Sequence, residues 1–417
     1  MRLLIVTQYF WPENFRINDL VAELVCRGHQ VTVLTGLPNY PDGEVFPQFR
    51  AAPARFARYE GAEIVRVPMM PRGVGSLRLM LNYLSFAVSA SVVGLRKLRG
   101  RQFDAIFAYE PSPITIGLPA AVMRSAKRAP MAFWVQDLWP ETLQAIGVVR
   151  SPAILSAVGK LVAFIYRRCD LILAQSHSFI PQIRKYTAVG SRVEYFPGWA
   201  ESVFDMQHVI AAEEVPVKPG SFNVMFAGNI GVAQDFPAIL AAAEALKDHA
   251  HIRWLIVGDG RMGGWVANEI KRRQLQDRVL MLGRHPLDKM PSFFKHAQAL
   301  LVSLKDEPIF SMTIPSKLQS YLAAGIPVVS MLNGEGSTVV KDSGAGLTCA
   351  AGDHEALAAA VLKLSQMTKQ EREVMGSNGL AVSAREFDRE TLISRLEFWI
   401  EQLRGAKDSP SISKGAS

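Results

Sequence analysis

The chain has 417 residues, of which 49% are hydrophobic and 20% charged, and its formal net charge is +8. This apolar fraction excludes a mainly disordered chain, and the length suggests two domains at about 150 residues per domain. The three cysteines, Cys26, Cys169 and Cys349, are too few and too far apart for a disulfide framework or a CxxC metal knuckle. These cysteines indicate a cytoplasmic protein. Because Met1 leads into an apolar run without a basic segment, we also expect no signal peptide.

The positive charge is concentrated in one part of the chain. Residues 1–200 hold 23 Lys and Arg against 13 Asp and Glu, whereas residues 201–417 hold 23 against 25. Residues 50–101 alone contain ten basic residues and two acidic ones, Glu60 and Glu63. A local basic patch indicates an anionic partner, and phosphate-rich lipid, nucleic acid and a phosphorylated small molecule are all candidates.

Short runs rich in Val, Ile and Leu alternate with helix-length segments, which predicts parallel strands buried on both faces. In the first half, the predicted strands are residues 3–7, 31–35, 63–67, 104–108, 131–135, 171–175 and 193–196. In the second half, they are residues 223–227, 252–257, 279–282, 299–303 and 328–331. We therefore predict an α/β fold with two doubly wound, Rossmann-like domains that face each other across a cleft, followed by C-terminal helices.

The order of these patterns predicts the domain boundaries. A first domain covers residues 1–198, and a Pro- and Gly-rich stretch without apolar periodicity predicts a linker at residues 199–221. The second domain covers residues 222–385. We expect a C-terminal helix at residues 386–406 to pack back on the first domain, and residues 407–417 to form a disordered tail.

An apolar segment, residues 77–95, ends in a basic cluster at Arg96, Lys97, Arg99 and Arg101. The segment approaches the length of a membrane span, but it falls inside the alternation of strands and helices. Two interpretations stay open: a buried helix of the first domain, or a surface helix that seats the protein on an anionic membrane leaflet. A true membrane span is disfavoured.

Polar and aromatic side chains follow three predicted strands of the first domain, where open α/β sheets bind their ligands. Aromatic rings beside carboxylates and amides are typical of sugar binding, although each carboxylate taken singly is well explained as a solvated or capping group. The candidate residues are Glu13, Asn14, Arg16, Tyr109, Glu110, Asp137, Trp139 and Glu141.

Two glycine turns follow strands of the second domain. The sequence Gly-Asn-Ile-Gly at residues 228–231 precedes a predicted helix, so that backbone N–H groups could approach a phosphate. The sequence Gly-Asp-Gly-Arg-Met-Gly at residues 258–263 has the spacing of a dinucleotide-binding fingerprint. It follows the second strand of its domain and lacks a clearly placed acidic partner, which favours a tight turn that lines a nucleotide cleft over a nicotinamide site.

Lys317 follows Pro315 and Ser316, which are typical of a helix start. A cation in the first turn opposes the helix dipole, so a bound anion explains Lys317 better than helix stability does. The chain contains no Asp-x-Asp pair, and its histidines lack metal-ligand spacing. We therefore expect no metal and no other cofactor, with helix ends and Lys317 neutralising a bound diphosphate.

In combination, these residues resemble the retaining glycosyltransferases of family 4, which have the GT-B fold, over about residues 1–400. The resemblance is greatest to the branch that builds bacterial surface polysaccharides, such as the colanic-acid and fucosaminyl transferases. The motifs that carry it are QYFWPE at residues 8–13, RGHQVTV at 27–33, LPNYP at 37–41, WVQDLWPE at 134–141, GNIG at 228–231, GDG at 258–260, IPSK at 314–317, AAGIP at 323–327 and GAGL with GD between 344 and 353.

The resemblance implies a nucleotide-sugar donor, with a UDP-sugar favoured, that binds mainly to the second domain and reacts with retention. The implied catalytic residues are Asp137, Lys317 and Glu13, and the other first-domain candidates would contact the acceptor. The implied donor-binding residues are Gly228, Asn229, Gly231, Gln234, Gly258, Asp259, Gly283, Arg284, Thr313, Ser316, Lys317 and Ser320.

The chain departs from the family pattern at two pairs of positions. Asn229 and Gln234 stand where the family usually has Arg and Lys, and Met312 and Ser320 stand where it has two glutamates. We therefore expect Lys317 to carry more of the diphosphate charge, with Ser320 or Glu307 near the ribose or the sugar.

The resemblance also implies a partner and a location. We expect a lipid-linked saccharide acceptor in bacterial exopolysaccharide, O-antigen or capsule synthesis, and a peripheral position on the inner face of the plasma membrane, whose anionic surface the basic segment would contact. A two-domain NAD-dependent enzyme and a noncatalytic nucleotide-sugar-binding protein are the alternatives. Nucleic acid is not an expected partner, because no recognition-helix module or zinc finger is visible.

Overall fold

The computed structural model describes residues 1–408 except residues 42, 74, 146–148, 150, 205 and 207. It divides into two compact units, of which the first comprises Met1–Phe196 and the C-terminal segment from Glu390, and the second comprises Pro197–Arg389.

The first unit is built around an eight-stranded sheet in the order β3-β4-β2-β1-β5-β6-β7-β8, parallel except for the β3–β4 pair. Its strands are β1 Arg2–Val6, β2 Gln30–Thr35, β3 Arg58–Tyr59, β4 Ala62–Arg66, β5 Ala105–Glu110, β6 Met131–Val135, β7 Leu171–Ala174 and β8 Val193–Tyr195. Its helices are α1 Arg16–Cys26, α2 Pro47–Ala51, α3 Ser76–Ser89, α4 Leu95–Lys97, α5 Gly117–Lys127, α6 Glu141–Ala145, α7 Pro152–Tyr166 and α8 Phe179–Arg184.

Strands β5 and β6 show why this sheet forms the core of the unit. All residues of both strands are buried, including Phe107, Phe133 and Trp134, because helices cover both faces of the sheet. When parallel strands are joined by right-handed crossovers, the direction in which the chain moves along the sheet decides which face of the sheet each helix covers. The chain moves from β1 to β2 in one direction along the sheet, and from β4 to β5, β6, β7 and β8 in the other. Hence α1 covers one face, and α3, α5, α7 and α8 cover the opposite face.

The second unit contains a six-stranded parallel sheet in the order β11-β10-β9-β12-β13-β14. Its strands are β9 Phe222–Ala227, β10 Ile252–Val257, β11 Val279–Gly283, β12 Ala299–Ser303, β13 Val328–Met331 and β14 Gly346–Cys349. Its helices are α9 Phe236–Ala245, α10 Gly263–Arg272, α11 Met290–Phe294, α12 Pro308–Ser311, α13 Ser316–Ala323, α14 Glu335–Ser343, α15 His354–Gln366 and α16 Lys369–Glu386. Helix α17, Arg389–Asp408, ends the described chain.

The predicted fold class, two parallel α/β sheets with helices at the C-terminal end, is confirmed. All twelve predicted strands are present, with ends within two residues of the prediction. The prediction missed β3, a two-residue antiparallel edge, and β14, whose sequence Gly-Leu-Thr-Cys is too polar to stand out as an apolar run.

The segment predicted as a linker packs on the second unit. Phe204, Ala212 and Val215 are buried in the same core cluster as residues of β9, β10 and α13. A Pro- and Gly-rich stretch without periodicity can therefore still supply core side chains, because burial in an irregular segment follows no repeat.

Helix α17 is bonded to the first unit by a cluster of charged groups around Arg27. Its guanidinium donates to Glu23 at 2.7 Å, to Glu390 at 2.5 Å and to Glu397 at 2.6 Å. The helix begins at Arg389, later than the predicted residue 386, since α16 runs on to Glu386. It also continues through residues 407 and 408, which were predicted to be disordered, whereas residues 409–417 of the predicted tail lie outside the described residues.

Gly376 provides a test of packing in the second unit. A Cβ added there would lie 2.0 Å from the carbonyl oxygen of Gly325, whereas a Cβ at Gly264, on exposed α10, meets nothing within 4 Å. We expect Gly376→Ala to lower the free energy of unfolding by about 2 kcal/mol through overpacking. Gly264→Ala, the control, should raise it by about 0.5 to 1 kcal/mol. Urea melts of both variants measure these changes, and equal stabilities would contradict the close packing of α16.

Candidate active site

The glycine turn after β9 brings backbone and a buried cation together. Gly228 has φ of 139°, and its N–H donates to the carbonyl of Val257 at 2.9 Å. A Cβ at Gly228 would lie 3.2 Å from Nζ of Lys317. Glycine at this position therefore permits both the left-handed backbone and the approach of the lysine.

Lys317 lies in the first turn of α13, after Pro315 at the N-cap. Its Nζ is buried, has no hydrogen-bond partner among the residues that the structure describes, and lies 3.8 Å from the centroid of the Phe226 ring. Burial lowers the pKa of Lys317 to about 7, because no carboxylate compensates for the lost hydration. A buried ammonium without a counter-ion is costly, which makes Lys317 a candidate functional residue.

The turn at residues 258–263 is filled by protein hydrogen bonds. The N–H of Gly258 donates to Gly283 at 2.7 Å, and the N–H of Met262 donates to Ile230 at 2.9 Å. A Cβ at Gly258, where φ is 144°, would lie 1.9 Å from the carbonyl oxygen of Gly228. Gly258 thus serves close contact between two loops, and the N–H groups of Gly258 and Met262 are bonded to protein carbonyls rather than turned to a dinucleotide phosphate.

Ser320 and Tyr321, on the same helix as Lys317, tie together separate parts of the second unit. The Ser320 hydroxyl donates to the Glu201 carboxylate at 3.2 Å. Tyr321 Oη accepts from the N–H of Ala227 at 2.9 Å and donates to its carbonyl at 3.1 Å. The sequence had not identified Glu201 or Tyr321. Tyr321 lies four residues after Lys317 and thus on its helix face, a spacing that could have indicated it. Glu201 had no local signal.

The remaining donor-side candidates are more exposed or are engaged with the backbone. Gln234 accepts from the N–H of Gly231 through its side chain at 3.1 Å, and Asp259 accepts from the N–H of Gly260 at 2.7 Å. Thr313 donates to the carbonyl of Ile309 at 3.0 Å. The exposed candidates are Asn229, Gly283, Arg284 and Ser316.

Glu13 in the first unit is held by backbone amides. One carboxylate oxygen accepts from the N–H groups of Asn39 at 2.8 Å and Tyr40 at 2.7 Å, and the other accepts from Phe10 at 3.1 Å. Burial raises the pKa of Glu13 to about 7, and these three hydrogen bonds oppose the rise. Glu13 thus fixes the loops after β1 and β2 to each other, which is a structural use of a residue predicted to be catalytic.

Glu110 and Asp137 form a pair of carboxyls at the ends of β5 and β6. Glu110 is fully buried, and neither of its carboxylate oxygens has a partner of normal hydrogen-bond geometry among the described residues. Burial and the charge of Asp137 raise the pKa of Glu110. Burial raises the pKa of half-buried Asp137 to about 7, opposed by the Ser112 hydroxyl. Both carboxyls of the pair therefore have raised pKa values, with burial as the first cause.

The other first-unit candidates have mixed surroundings. Tyr109 is buried and packs on Trp134 with ring centroids 5.3 Å apart, so it belongs to the core. Trp139 is also buried, and Glu141 accepts from the Tyr186 hydroxyl at 3.3 Å. The last two candidates stand at the start of α1, where Asn14 is exposed and Arg16 is half-buried.

Two glycosyltransferase family models match the chain. The model described as a glycosyl transferase 4-like domain matches residues 14–199, and the model described as glycosyl transferases group 1 matches residues 221–367. The chain belongs to the group 1, family 4-like glycosyltransferases.

This glycosyltransferase is similar to several named proteins. WcaI of Escherichia coli strain K12, a glycosyl transferase named for colanic acid biosynthesis, is 26% identical over 342 residues, which are 78% of this chain and 82% of that protein. The structure of sucrose-phosphate synthase from Thermosynechococcus elongatus matches with a TM-score of 0.74 at 14% identity, covering 97% of this chain and 99% of that one. HepE of Anabaena in complex with UDP-glucose matches with a TM-score of 0.67 at 14% identity, covering 96% and 100%. These likenesses show the GT-B fold.

The buried Lys317 ammonium should lower the free energy of unfolding of the glycosyltransferase. Because burial lowers the pKa of Lys317 to about 7 from its ordinary 10.5, the unfolded chain binds one more proton between these pH values, and wild-type stability falls as the pH drops through this range. Lys317→Met removes the effect. We expect it to raise the Tm, with a larger gain at about pH 7 than at about pH 9.5. Melting curves at both pH values measure this, and a lower Tm at both would contradict an uncompensated cation.

The two first-unit carboxyls with a pKa of about 7 should respond oppositely to neutral replacements. Glu13→Gln places an NH2 group against buried amide donors and should cost about 1 to 3 kcal/mol. At about pH 8, Asp137→Asn removes a charge that burial disfavours and should raise the Tm. Thermal melts compare the two variants, and a loss of similar size in both would assign Asp137 a structural role.

Proposed function

We propose that this glycosyltransferase moves a sugar from a nucleotide-sugar donor, with a UDP-sugar favoured, to a lipid-linked saccharide acceptor, with retention of the anomeric configuration. The observation that carries the proposal is the buried, unpartnered Nζ of Lys317 beside the glycine turn at Gly228. The HepE complex with UDP-glucose supports the donor class by similarity of fold.

The donor diphosphate would bind at Lys317 and at the N-terminal end of α13. An anion there restores the electrostatic stabilisation that burial has removed from the ammonium, and the positive end of the helix dipole adds to it. As the bond from the anomeric carbon to the diphosphate breaks, negative charge grows on the leaving oxygen. A preorganised cation and helix end stabilise this charge, and the proposal assigns no metal to the step.

Ser320 and Glu201 provide polar groups for the ribose. The family pattern that the sequence resembles has a glutamate where Ser320 stands, and the Ser320 hydroxyl contacts the carboxylate of Glu201 at 3.2 Å. We assign the ribose hydroxyls to this pair, because a carboxylate from another segment can replace the missing one. Glu307 is the other candidate from the sequence.

Asp137 would orient the acceptor hydroxyl. Burial raises the pKa of its half-buried carboxyl to about 7, so that the ionised form, which can accept a hydrogen bond, is populated near neutral pH. Retention follows if the acceptor oxygen bonds to the anomeric carbon on the face that the diphosphate leaves, and the acceptor proton passes to the leaving phosphate oxygen. NMR of the product's anomeric configuration tests this step.

A surface polysaccharide is the proposed product. WcaI is named for colanic acid biosynthesis, and the motifs of this chain resemble that branch. Such a pathway provides a lipid-linked acceptor at the inner face of the plasma membrane, and we propose a peripheral position there, with O-antigen, capsule and exopolysaccharide as the candidate products.

Donor binding is tested with matched lysine variants. We expect Lys317→Met to weaken UDP binding at least about tenfold, because the diphosphate loses a desolvated cation. Lys271→Met, which removes an exposed lysine of α10, should bind as the wild type does. Calorimetry with UDP, and in parallel GDP, dTDP and ADP, measures both variants. At about pH 8, wild-type binding should also take up a proton, because bound diphosphate raises the pKa of Lys317.

Equal UDP affinity in Lys317→Met and wild type would contradict the assignment of the diphosphate to this site. Binding of every nucleotide without turnover of any corresponding nucleotide sugar, in the presence of lipid extract, would support the noncatalytic alternative.

A further inference from the structure

One face of the first unit carries helices without acidic residues. Helices α3, α5, α7 and α8 lie on the same side of the sheet by the handedness of their crossovers, and α5 contacts both α3 and α7. None of these four helices contains Asp or Glu. We call the surface of α3, α5 and α7 the carboxylate-free face.

The acidic residues of the unit lie outside these helices, and one of them, Asp170, pairs with Arg124 of α5 at 2.8 Å. Between residues 64 and 169, the carboxylates are Asp104, Glu110, Asp137 and Glu141, and they stand at strand ends or at the start of α6. The same stretch holds fourteen Lys and Arg residues. By contrast, α1 covers the opposite side of the sheet, and α17 is bonded to Arg27, the residue directly after α1. These two helices carry the carboxylates Asp19, Glu23, Glu390, Glu397, Glu401 and Asp408. The unit is therefore electrostatically two-sided.

Large apolar side chains project from the carboxylate-free face. On α3 and its continuation, the exposed fractions are 63% for Leu77, 49% for Met80, 45% for Leu84, 64% for Val88 and 50% for Val92. Their spacing of three or four residues puts them in one stripe. On α7, Ile154 is 51% and Phe164 43% exposed. An apolar surface on this scale, rimmed by polar groups, marks an interaction site.

The opposite side of α3 fixes this helix to the protein. Asn82 is buried, accepts from the Gln8 amide at 2.7 Å and donates to the carbonyl of Met70 at 2.6 Å. Phe86 and Ala90 are buried in the same row. The segment Leu77–Lys97 is long and apolar enough to span a bilayer, but insertion would break these bonds and place Asn82 in hydrocarbon. The helix therefore presents one face and keeps the other in the unit.

Basic residues surround the apolar stripe. Arg78 is exposed near the start of α3, and Arg96, Lys97 and Arg99 are exposed at its other end. Lys160 is exposed on α7. Apolar side chains flanked by cations match the interface of an anionic bilayer, where acyl chains and lipid phosphates lie within a few ångströms of each other.

We propose that the carboxylate-free face docks on an anionic lipid bilayer, with the stripe of α3 and the exposed apolar residues of α7 entering the headgroup boundary. The proposal deepens the proposed function, since it names the surface through which the enzyme reaches a lipid-linked acceptor. A second copy of the chain fits less well, because two basic faces would repel. A nucleic acid would leave the apolar stripe unused.

Vesicle flotation with the full chain tests the proposal. The wild type should float with phosphatidylcholine vesicles that contain about one-third phosphatidylglycerol, and much less with pure phosphatidylcholine or in high salt. We expect the double variant Val88→Glu and Ile154→Glu to reduce vesicle binding at least about tenfold. Val374→Glu is the matched control, because Val374 is 57% exposed on helix α16 of the second unit, and it should bind as the wild type does.

Three results would overturn the proposal: no flotation of the wild type, equal flotation of the double variant, or a wild-type dimer that fails to float and that the double variant dissociates. UDP calorimetry distinguishes failure of the membrane-docking proposal from failure of the proposed function. The double variant should keep wild-type UDP affinity, so loss of flotation with intact UDP binding assigns the face to membrane docking. Flotation of a wild type that binds no nucleotide would uphold the face and reject the donor assignment.

Discussion

The second unit depends on one electrostatic constraint, the burial of the Lys317 ammonium without a carboxylate. Several features exist to accommodate it. The Phe226 ring lies 3.8 Å from Nζ, Gly228 leaves room beside it, and the Tyr321 hydroxyl fixes the end of β9 to α13. A structural lysine would have been paired or left in water. The fold thus retains an electrostatically unfavourable group in the first turn of α13, where we propose that an anion binds.

The first unit shows how neighbouring groups decide what a carboxyl does. Glu13 and Asp137 both have a pKa raised to about 7 by burial, yet Glu13 is bonded to three backbone amides, and Asp137 has the Ser112 hydroxyl and a second carboxyl, Glu110, nearby. The first arrangement fixes two loops. The second leaves a group that can ionise and accept a hydrogen bond from a ligand. Both residues followed strands in the sequence, so position along the chain alone did not separate them.

The net charge of +8 indicates a function only once the charged residues are located in the structure. The sequence placed the excess in residues 50–101. The structure extends the acid-free helical surface to α5 and α7 and puts α1, with Asp19 and Glu23, on the other side of the sheet. Crossover handedness brings these helices together, although α3 and α7 are separated by more than 60 residues in the chain. Positive charge and exposed apolar side chains therefore lie together on the carboxylate-free face.

The sequence by itself determined the twelve predicted strands, the fold class, both glycine turns and the place of Lys317 at a helix start, because buried parallel strands and helix starts leave local patterns. Only the tertiary structure decided which partners each side chain has. It showed that the amides of Gly258 and Met262 are bonded to other loops, that Glu201 contacts Ser320, and that residues of the predicted linker belong to a core. The physical reason is that hydrogen bonds and burial join residues far apart in the chain, so no local pattern records them.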